Sequence, residues 1–276
     1  MNDNKTSKNS IVAKFAVPIS FLILFFLAAN FTDCDLVTFW KRRNHLTDLV
    51  VDMIPPDFSY IQKILLPLFY TIQMSVTGTV LGTFFALVLS PFGAANLGFP
   101  AVIRRILRIV IQILRSFPAL ILALTATFLF GLGTFAGTFA ITLYTFAIMT
   151  KLTYEDASAA DVKAYQALRA MGVSKYVAYI HGILPEIIPG FLTNALYLLE
   201  TNVRHSSILG YVGAGGIGLL LNEKISWLEY DKVGTILLML FLTVCVIEYF
   251  SRYLAALIRK ERTIKKEQAR LLLLFL

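Results

Sequence analysis

The feature that most constrains this chain is the recurrence of apolar runs long enough to cross a bilayer. A span needs about 20 mainly apolar residues to cover about 30 Å of hydrocarbon. Six segments qualify, at residues 14–32, 66–90, 108–130, 135–151, 187–209 and 233–257. The expected fold class is therefore an all-α polytopic membrane protein of about six transmembrane helices. Composition agrees, since 57% of the 276 residues are hydrophobic and 15% are charged, where a soluble domain carries about a quarter charged. A net charge of +8 on so apolar a chain is better explained by lysines and arginines anchoring loops than by nucleic acid, for which no recognition module is present.

Lys5, Lys8 and Lys14 precede the run from Phe15 to Phe31. That run is long for a signal core, and no small-x-small cleavage site follows it, so it reads as a retained first span. Cys34 is preceded by Phe-Thr-Asp rather than small apolar residues, and with Cys245 as the other cysteine no disulfide framework or zinc set can be built. Eighteen of the 25 lysines and arginines fall on one side if both termini are cytoplasmic, leaving Lys41, Arg42, Arg43, Lys63, Arg204, Lys224 and Lys232 outside.

Three regions follow. Residues 1–65 hold the first span and an external segment, with a partly amphipathic stretch from Trp40 to Met53 and a stiff turn at Pro55-Pro56-Asp57. Residues 66–258 hold the remaining spans and a cytoplasmic loop at 152–186, and residues 259–276 form a basic cytoplasmic tail suited to anionic headgroups.

The loop carries the most local pattern. Residues 155–171 are good helix formers, and Gly172 sits where a left-handed C-cap would end that helix. Ser174 is placed to cap a second helix from Lys175 to about His181, and Pro185 marks the start of the next span. The expected product is a helix-turn-helix knob whose Tyr176, Val177, Tyr179 and Ile180 are free to enter a partner's groove.

Gln166-Ala-Leu, three residues, Gly172, nine residues, then Gly182-Ile-Leu184-Pro185 resembles the EAA loop of ABC importer permeases, whose pattern is E-A-A-x3-G-x9-I-x-L-P. Ala167, Gly172, Leu184 and Pro185 match, while Gln166 stands for Glu, Leu168 for the second Ala and Gly182 for Ile. Leu114-Arg-Ser-Phe-Pro-Ala119, Phe130-Gly-Leu-Gly-Thr-Phe-Ala-Gly137, Glu200-Thr-Asn-Val-Arg204 and Leu209-Gly-Tyr-Val-Gly-Ala-Gly-Gly-Ile-Gly218 are similar to parts of phosphonate-type permeases. The likeness covers roughly residues 50–258.

This resemblance implies a MetI-like type I importer permease in a bacterial plasma membrane, acting as a homodimer with two ABC ATPase subunits and an external solute-binding protein. It implies a small oxyanion cargo, phosphonate first among candidates, with no cofactor in this chain and ATP and Mg on the partner ATPase. By the same resemblance Gln166, Ala167, Gly172, Val173, Ser174, Tyr176, Ile180, Leu184 and Pro185 couple to the ATPase, with ATP-driven motion entering between Gly172 and Ile183.

Two further clusters bear on a path through the membrane. Gly213, Gly215 and Gly216 belong to a G-x-G-x-x-G run, but it follows a span and no βαβ unit surrounds it, so a dinucleotide site is excluded. A close-packed re-entrant turn and plain packing through small residues both remain open, and in the resembled permeases this region lies by the translocation path. Glu200, Asn202, Arg204, Ser206 and Ser207 load one half of the fifth span with groups costly in lipid, and are expected to face the bundle interior. Either Arg204, Ser206 and Ser207 contact an anionic cargo, or Glu200 and Arg204 form an i,i+4 pair that fixes packing. Glu248 and Arg252 repeat that spacing, and Arg115 with Pro118 reads as an anchor and kink at a span entry.

No G-x-x-x-x-G-K-[ST] loop occurs, so an ATP-driven device must keep its ATPase on another chain. His45, His181 and His205 are scattered, with no H-E-x-x-H pair or nucleophile elbow, so neither a catalytic nor a metal site is expected. The alternative is an ATP-independent secondary transporter or channel, which calls for inverted repeats that the sequence does not display.

Overall fold

The computed structural model describes residues 16, 18–29, 31–32 and 36–274, and among them every regular element is helical. The chain divides after Asp52 into two compact units. In the first, α1 (Pro18–Ala29) is a short apolar helix, and α2 (Leu36–Asp52) places the Arg43 guanidinium 4.5 Å from the Trp40 ring centroid. The expected span at 14–32 is thus helical over a stretch of about 18 Å at 1.5 Å per residue, with residues 14, 15, 17 and 30 outside those described.

The second unit contains three helices long and apolar enough to cross a membrane: α3 (Ile61–Gly93), α6 (Thr134–Ala159) and α11 (Tyr230–Leu274, apolar to Ile258). Two bent pairs pass the same test together. They are α4 (Ala101–Ser116) with α5 (Ala119–Phe130), bent by 94°, and α8 (Lys175–Gly182) with α9 (Leu184–Leu209), bent by 69°. Among the described residues, length and composition therefore admit three spans, or up to five if each bent pair counts as one.

The segment at 108–130 is the one that the structure redraws. Pro118 lacks an amide hydrogen and holds Phe117 extended at φ −86°, ψ 125°, so the helix ends instead of kinking. The part before the break, α4, carries Arg105, Arg108, Gln112 and Arg115 at steps of three or four residues with Arg104 beside the first, and Val102, Ile103, Ile106, Val110 and Ile113 are exposed. That is an amphipathic helix and not half of a straight span.

The spine is the α3–α6 pair. Gly78 and Gly82, one turn apart, bring α3 so close to α6 that an added Cβ would lie 2.6 Å from the Ile141 side chain or 2.7 Å from that of Thr145. Asn202 of α9 closes this layer, its amide donating to the Thr79 and Thr145 hydroxyls at 2.8 Å each. At the start of α3, Asp57 accepts from the Ser59 amide at 3.0 Å, and its carbonyl accepts from the Thr235 hydroxyl of α11 at 3.1 Å.

Candidate functional site

The segment between α6 and α9 folds into two short helices. Ala160 is extended (ψ 156°) and ends α6, so the single helix expected over 155–171 is split, and α7 (Lys163–Ala170) begins after Val162. Asp161 causes the split. Its carboxylate accepts from the Lys163 amide at 2.9 Å, competing with the helix ladder, while its own amide donates to the Glu186 carboxylate at 3.2 Å. The Lys163 amide also holds the Asp161 carboxyl below its usual range.

Gly172 ends α7 as the spacing predicts. It sits at φ +83°, its amide donates to Arg169 O at 3.1 Å, and the Val173 amide reaches back to Leu168 O at 3.2 Å. Those two bonds form a Schellman closure, which requires the left-handed conformation at Gly172. Ser174 then caps α8, accepting from the Val177 amide at 3.4 Å, and Pro185 lies in the first turn of α9.

One side of this knob is fastened to the bundle. Tyr165, Ala178, Tyr179 and Ile183 are buried with Ala94, Leu97 and Ala157, while Leu168 and Val173 pack on the same cluster. The Tyr165 hydroxyl donates to Leu97 O at 2.7 Å, the Tyr179 hydroxyl pairs with that of Ser90 at 3.3 Å, and the Tyr176 ring stacks on Phe92. Two of the four side chains expected to be free are therefore engaged: Tyr179 is buried and Tyr176 half-buried. Sequence reasoning missed this because aromatic side chains on a short polar helix look alike whether they dock inward or outward.

The opposite side is open. It presents Gln166, Ala167, Met171, Gly172, Ser174, Val177 and Ile180, with Met171 at 70% exposure and free of any expectation from the sequence. Leu184 is half-buried and Pro185 exposed beside them. Two departures from the loop pattern have structural reasons here. Leu168 fills the buried cluster, and Gly182 lies so close to α7 that a Cβ would stand 2.8 Å from the Tyr165 backbone. Next to the knob is a cavity of about 240 Å³ lined by Asp156, Ala159, Ala160, Glu186, Ile187 and Gly190.

At the far end of α9 the polar residues separate. Asn202, Ser206 and Ser207 are buried, as expected, and their donors go to neighbouring helices or their own: Ser206 to Thr71 O at 3.4 Å and Ser207 to Arg204 O at 2.6 Å. Arg204 departs from the expectation. Its side chain is half exposed and pairs with Glu200 one turn earlier, which is the packing alternative of the two readings. Glu248 and Arg252 pair in the same way.

The glycine run forms a close-packed turn between α9 and α10 (Ile217–Ser226). Gly213, Gly215 and Gly216 all have positive φ, and Gly213 O accepts from the Gly133 amide at 2.9 Å. A Cβ on Gly216 would meet the Thr71 hydroxyl at 2.5 Å, the same hydroxyl that accepts from the Ile217 amide at 2.8 Å. A second cavity, of about 330 Å³, opens at the α4–α5 break between residues 118–120, Tyr144 of α6, and His205, Ile208 and Leu209 of α9. His205 is the residue of the polar stretch that reaches it, and no sequence pattern had singled it out.

Residues 78–260 match the model of the family described as binding-protein-dependent transport system inner membrane component. The chain belongs to this family. Among curated relatives it is similar to the phosphite transport system permease protein PtxC of Stutzerimonas stutzeri, 31% identical over 79% of each chain. It is also 31% identical to the phosphate-import permease protein PhnE of Mycolicibacterium smegmatis, over 73% of this chain and 38% of that one. Among solved structures, the inward-facing MetNI methionine ABC transporter aligns with 73% of this chain and 99% of its own at a TM-score of 0.64 and 20% identity. An amino acid ABC transporter crystallised with histidines aligns at a TM-score of 0.57 and 15% identity, over 74% and 99%. The permease therefore has the all-α type I ABC importer fold and is a multi-pass inner-membrane transport subunit.

Proposed function

We propose that this permease forms the path for a small phosphorus oxyanion, phosphonate or phosphite first, in an ATP-driven importer. It works as a homodimer with two ATPase subunits, which hold ATP and Mg, and with an external solute-binding protein. The observation that carries the ATP-driven reading is the α7–Gly172–α8 knob: one face packed into the bundle, the other presenting Met171, Val177 and Ile180 at the spacing of the EAA loop. A partner ATPase takes this exposed face into a groove, and the Asp156 and Glu186 cavity beside it suits a basic side chain of that partner. The knob side is cytoplasmic, in keeping with the distribution of lysines and arginines. The functions of the relatives, phosphite transport and phosphate import, support the cargo class.

The test is uptake by vesicles containing the permease with its ATPase and binding protein, with ATP on the knob side and phosphite, phosphate or a simple alkylphosphonate outside. ATP-dependent uptake of one of these is expected. Uptake without nucleotide would establish the secondary transporter instead, and a binding protein that retains a cargo lacking phosphorus would remove the cargo assignment.

A further inference from the structure

The cavity at the α4–α5 break collects polar groups that no other contact uses. The Nδ1 atom of His205 is sealed from solvent without a hydrogen-bond partner among the described residues. With no acceptor beside Nδ1, the neutral imidazole carries its proton on Nε2, the nitrogen left open to a visitor. The Tyr144 ring meets the imidazole edge to face, centroids 5.2 Å apart, and both residues line the cavity. The Tyr144 hydroxyl bonds to no described residue, so two donors share one space without an acceptor.

Charge is available nearby. Arg115 stands three residues before Pro118, within electrostatic reach of the Tyr144 hydroxyl, exposed and without an ion pair among the described residues. Arg204, although adjacent to His205 in sequence, is compensated by Glu200. At about 330 Å³ the space holds roughly ten waters at about 30 Å³ each, enough for a tetrahedral oxyanion and part of its hydration shell. Donors that open on a space without a protein acceptor are left to water there, and the oxygens of such an anion would take the water's place.

We propose that this cavity is an anion-contact site on the translocation path, with His205 and Tyr144 donating to oxygens of the cargo and Arg115 setting the preference for negative charge. The cargo rests on the oxyanion reading above; the anion preference of the cavity does not.

The experiment uses the assembled complex with Cys34→Ala and Cys245→Ala, into which His205→Cys is introduced. Two thiol reagents of similar size are compared, a methanethiosulfonate bearing a sulfonate and one bearing a trimethylammonium. The sulfonate is expected to react about tenfold faster, as one unscreened local charge allows, and Arg115→Gln is expected to erase the preference. No reaction with the sulfonate reagent in either the ATP-free or ATP-bound state, or equal rates for the two reagents, overturns the proposal. In the native-cysteine complex, His205→Leu and Tyr144→Phe are expected to lower phosphite moved per ATP by about tenfold each, the loss of one hydrogen bond to a charged group. Unchanged phosphite transport in both overturns the donor roles. If the unmodified complex moves no phosphorus oxyanion, the cargo reading falls, and the thiol rates still decide whether the cavity prefers anions.

Discussion

Replacing Gly172 with valine separates the backbone role of this residue from any role of bulk. A Cβ at Gly172 would meet nothing within 4 Å, so contact with the rest of the chain contributes nothing to the cost. The cost lies in φ +83°, which for an ordinary L-residue amounts to about 1–2 kcal/mol and is greatest for a β-branched one. If the turn relaxes instead, it gives up the Gly172 and Val173 amide bonds of the Schellman closure, worth about 1 kcal/mol each. Either route costs about 2 kcal/mol, or roughly a thirtyfold loss in the population of the native knob. Asparagine tolerates the left-handed region and should cost a fraction of that. The assay is cargo uptake and ATP hydrolysis on the same vesicles. Gly172→Val is expected to lower cargo moved per ATP by roughly ten- to thirtyfold with normal membrane insertion, and Gly172→Asn to stay near the parent. A fully coupled valine variant would refute the reasoning. So would an asparagine variant as poor as valine, because bulk at the partner face would then matter more than φ.

Three further perturbations test the frame around the knob. Asn202→Leu removes the bonds to Thr79 and Thr145 but also the sealed, unpartnered Asn202 Oδ1. Because membrane hydrogen bonds are worth about 0.6 kcal/mol on average, a net loss of about 1 kcal/mol is expected in thermal unfolding in detergent, and a stabilised variant would show that the bonds do not hold α9. Gly218→Ala sets a Cβ 1.9 Å from Ser207 O; overpacking of this kind costs about 1–3 kcal/mol or more, so a variant with parental melting behaviour would contradict the close-packed turn. Hydrogen bonds from Lys232 and then Lys224 hold the Glu229 carboxyl below its usual range. That contribution is present above the unfolded value of about 4.3 and is lost as pH falls through the lower folded value. Amide protection in the turn at 224–232, taken relative to the intrinsic exchange rate at each pH, should therefore fall below about pH 4, and Glu229→Gln should flatten that dependence.

What the sequence made legible were the features set by spacing or by backbone conformation. Gly172 as a C-cap, Ser174 as an N-cap and Pro185 at the start of α9 all follow from rules that act within a few residues. The glycine run was legible as either a close-packed turn or plain packing through small residues, and the positive φ angles of Gly213, Gly215 and Gly216 decide for the turn. The break at Pro118 was visible as a kink, but not its 94° extent, because hydropathy averages α4 and α5 into one run while the arginines of α4 recur at helical spacing along one face. Asp161 hid the split of the loop helix, since its capping bond to Lys163 matters only with Glu186 nearby to take the Asp161 amide. The inward docking of Tyr165 and Tyr179 and the meeting of Tyr144 with His205 join residues 61–89 positions apart. Such contacts leave no trace in a single sequence.

An exposed apolar face can receive a partner, but passing on a displacement requires that the knob be fastened behind. Tyr165 binds Leu97 O and Lys175 binds Gly98 O, which ties the knob to the turn after α3, and Tyr179 reaches Ser90 on α3 itself. Asn96 donates to Ala157 O of α6 at 3.0 Å. Arg108 joins α4 to the same body, its Nε donating to Gly93 O at 3.0 Å while its guanidinium lies 5.0 Å from the Tyr154 ring centroid. A close-packed region transmits strain instead of absorbing it, so a pull on α7 and α8 would reach the turn at 94–99, from which α4 starts. The other end of α4 is the Pro118 break, where the helix ladder is interrupted and the next regular bond is that from Ile121 to Pro118 O. That break also walls the cavity of Tyr144 and His205. Meanwhile α3 and α6, interlocked at Gly78, Gly82 and Asn202, are the part least able to shear. A rigid-body input at the knob would reach this break through the turn at 94–99 and through α3 and α6, to which Arg108 ties the middle of α4, and a rotation at the break is what would change access to the cavity.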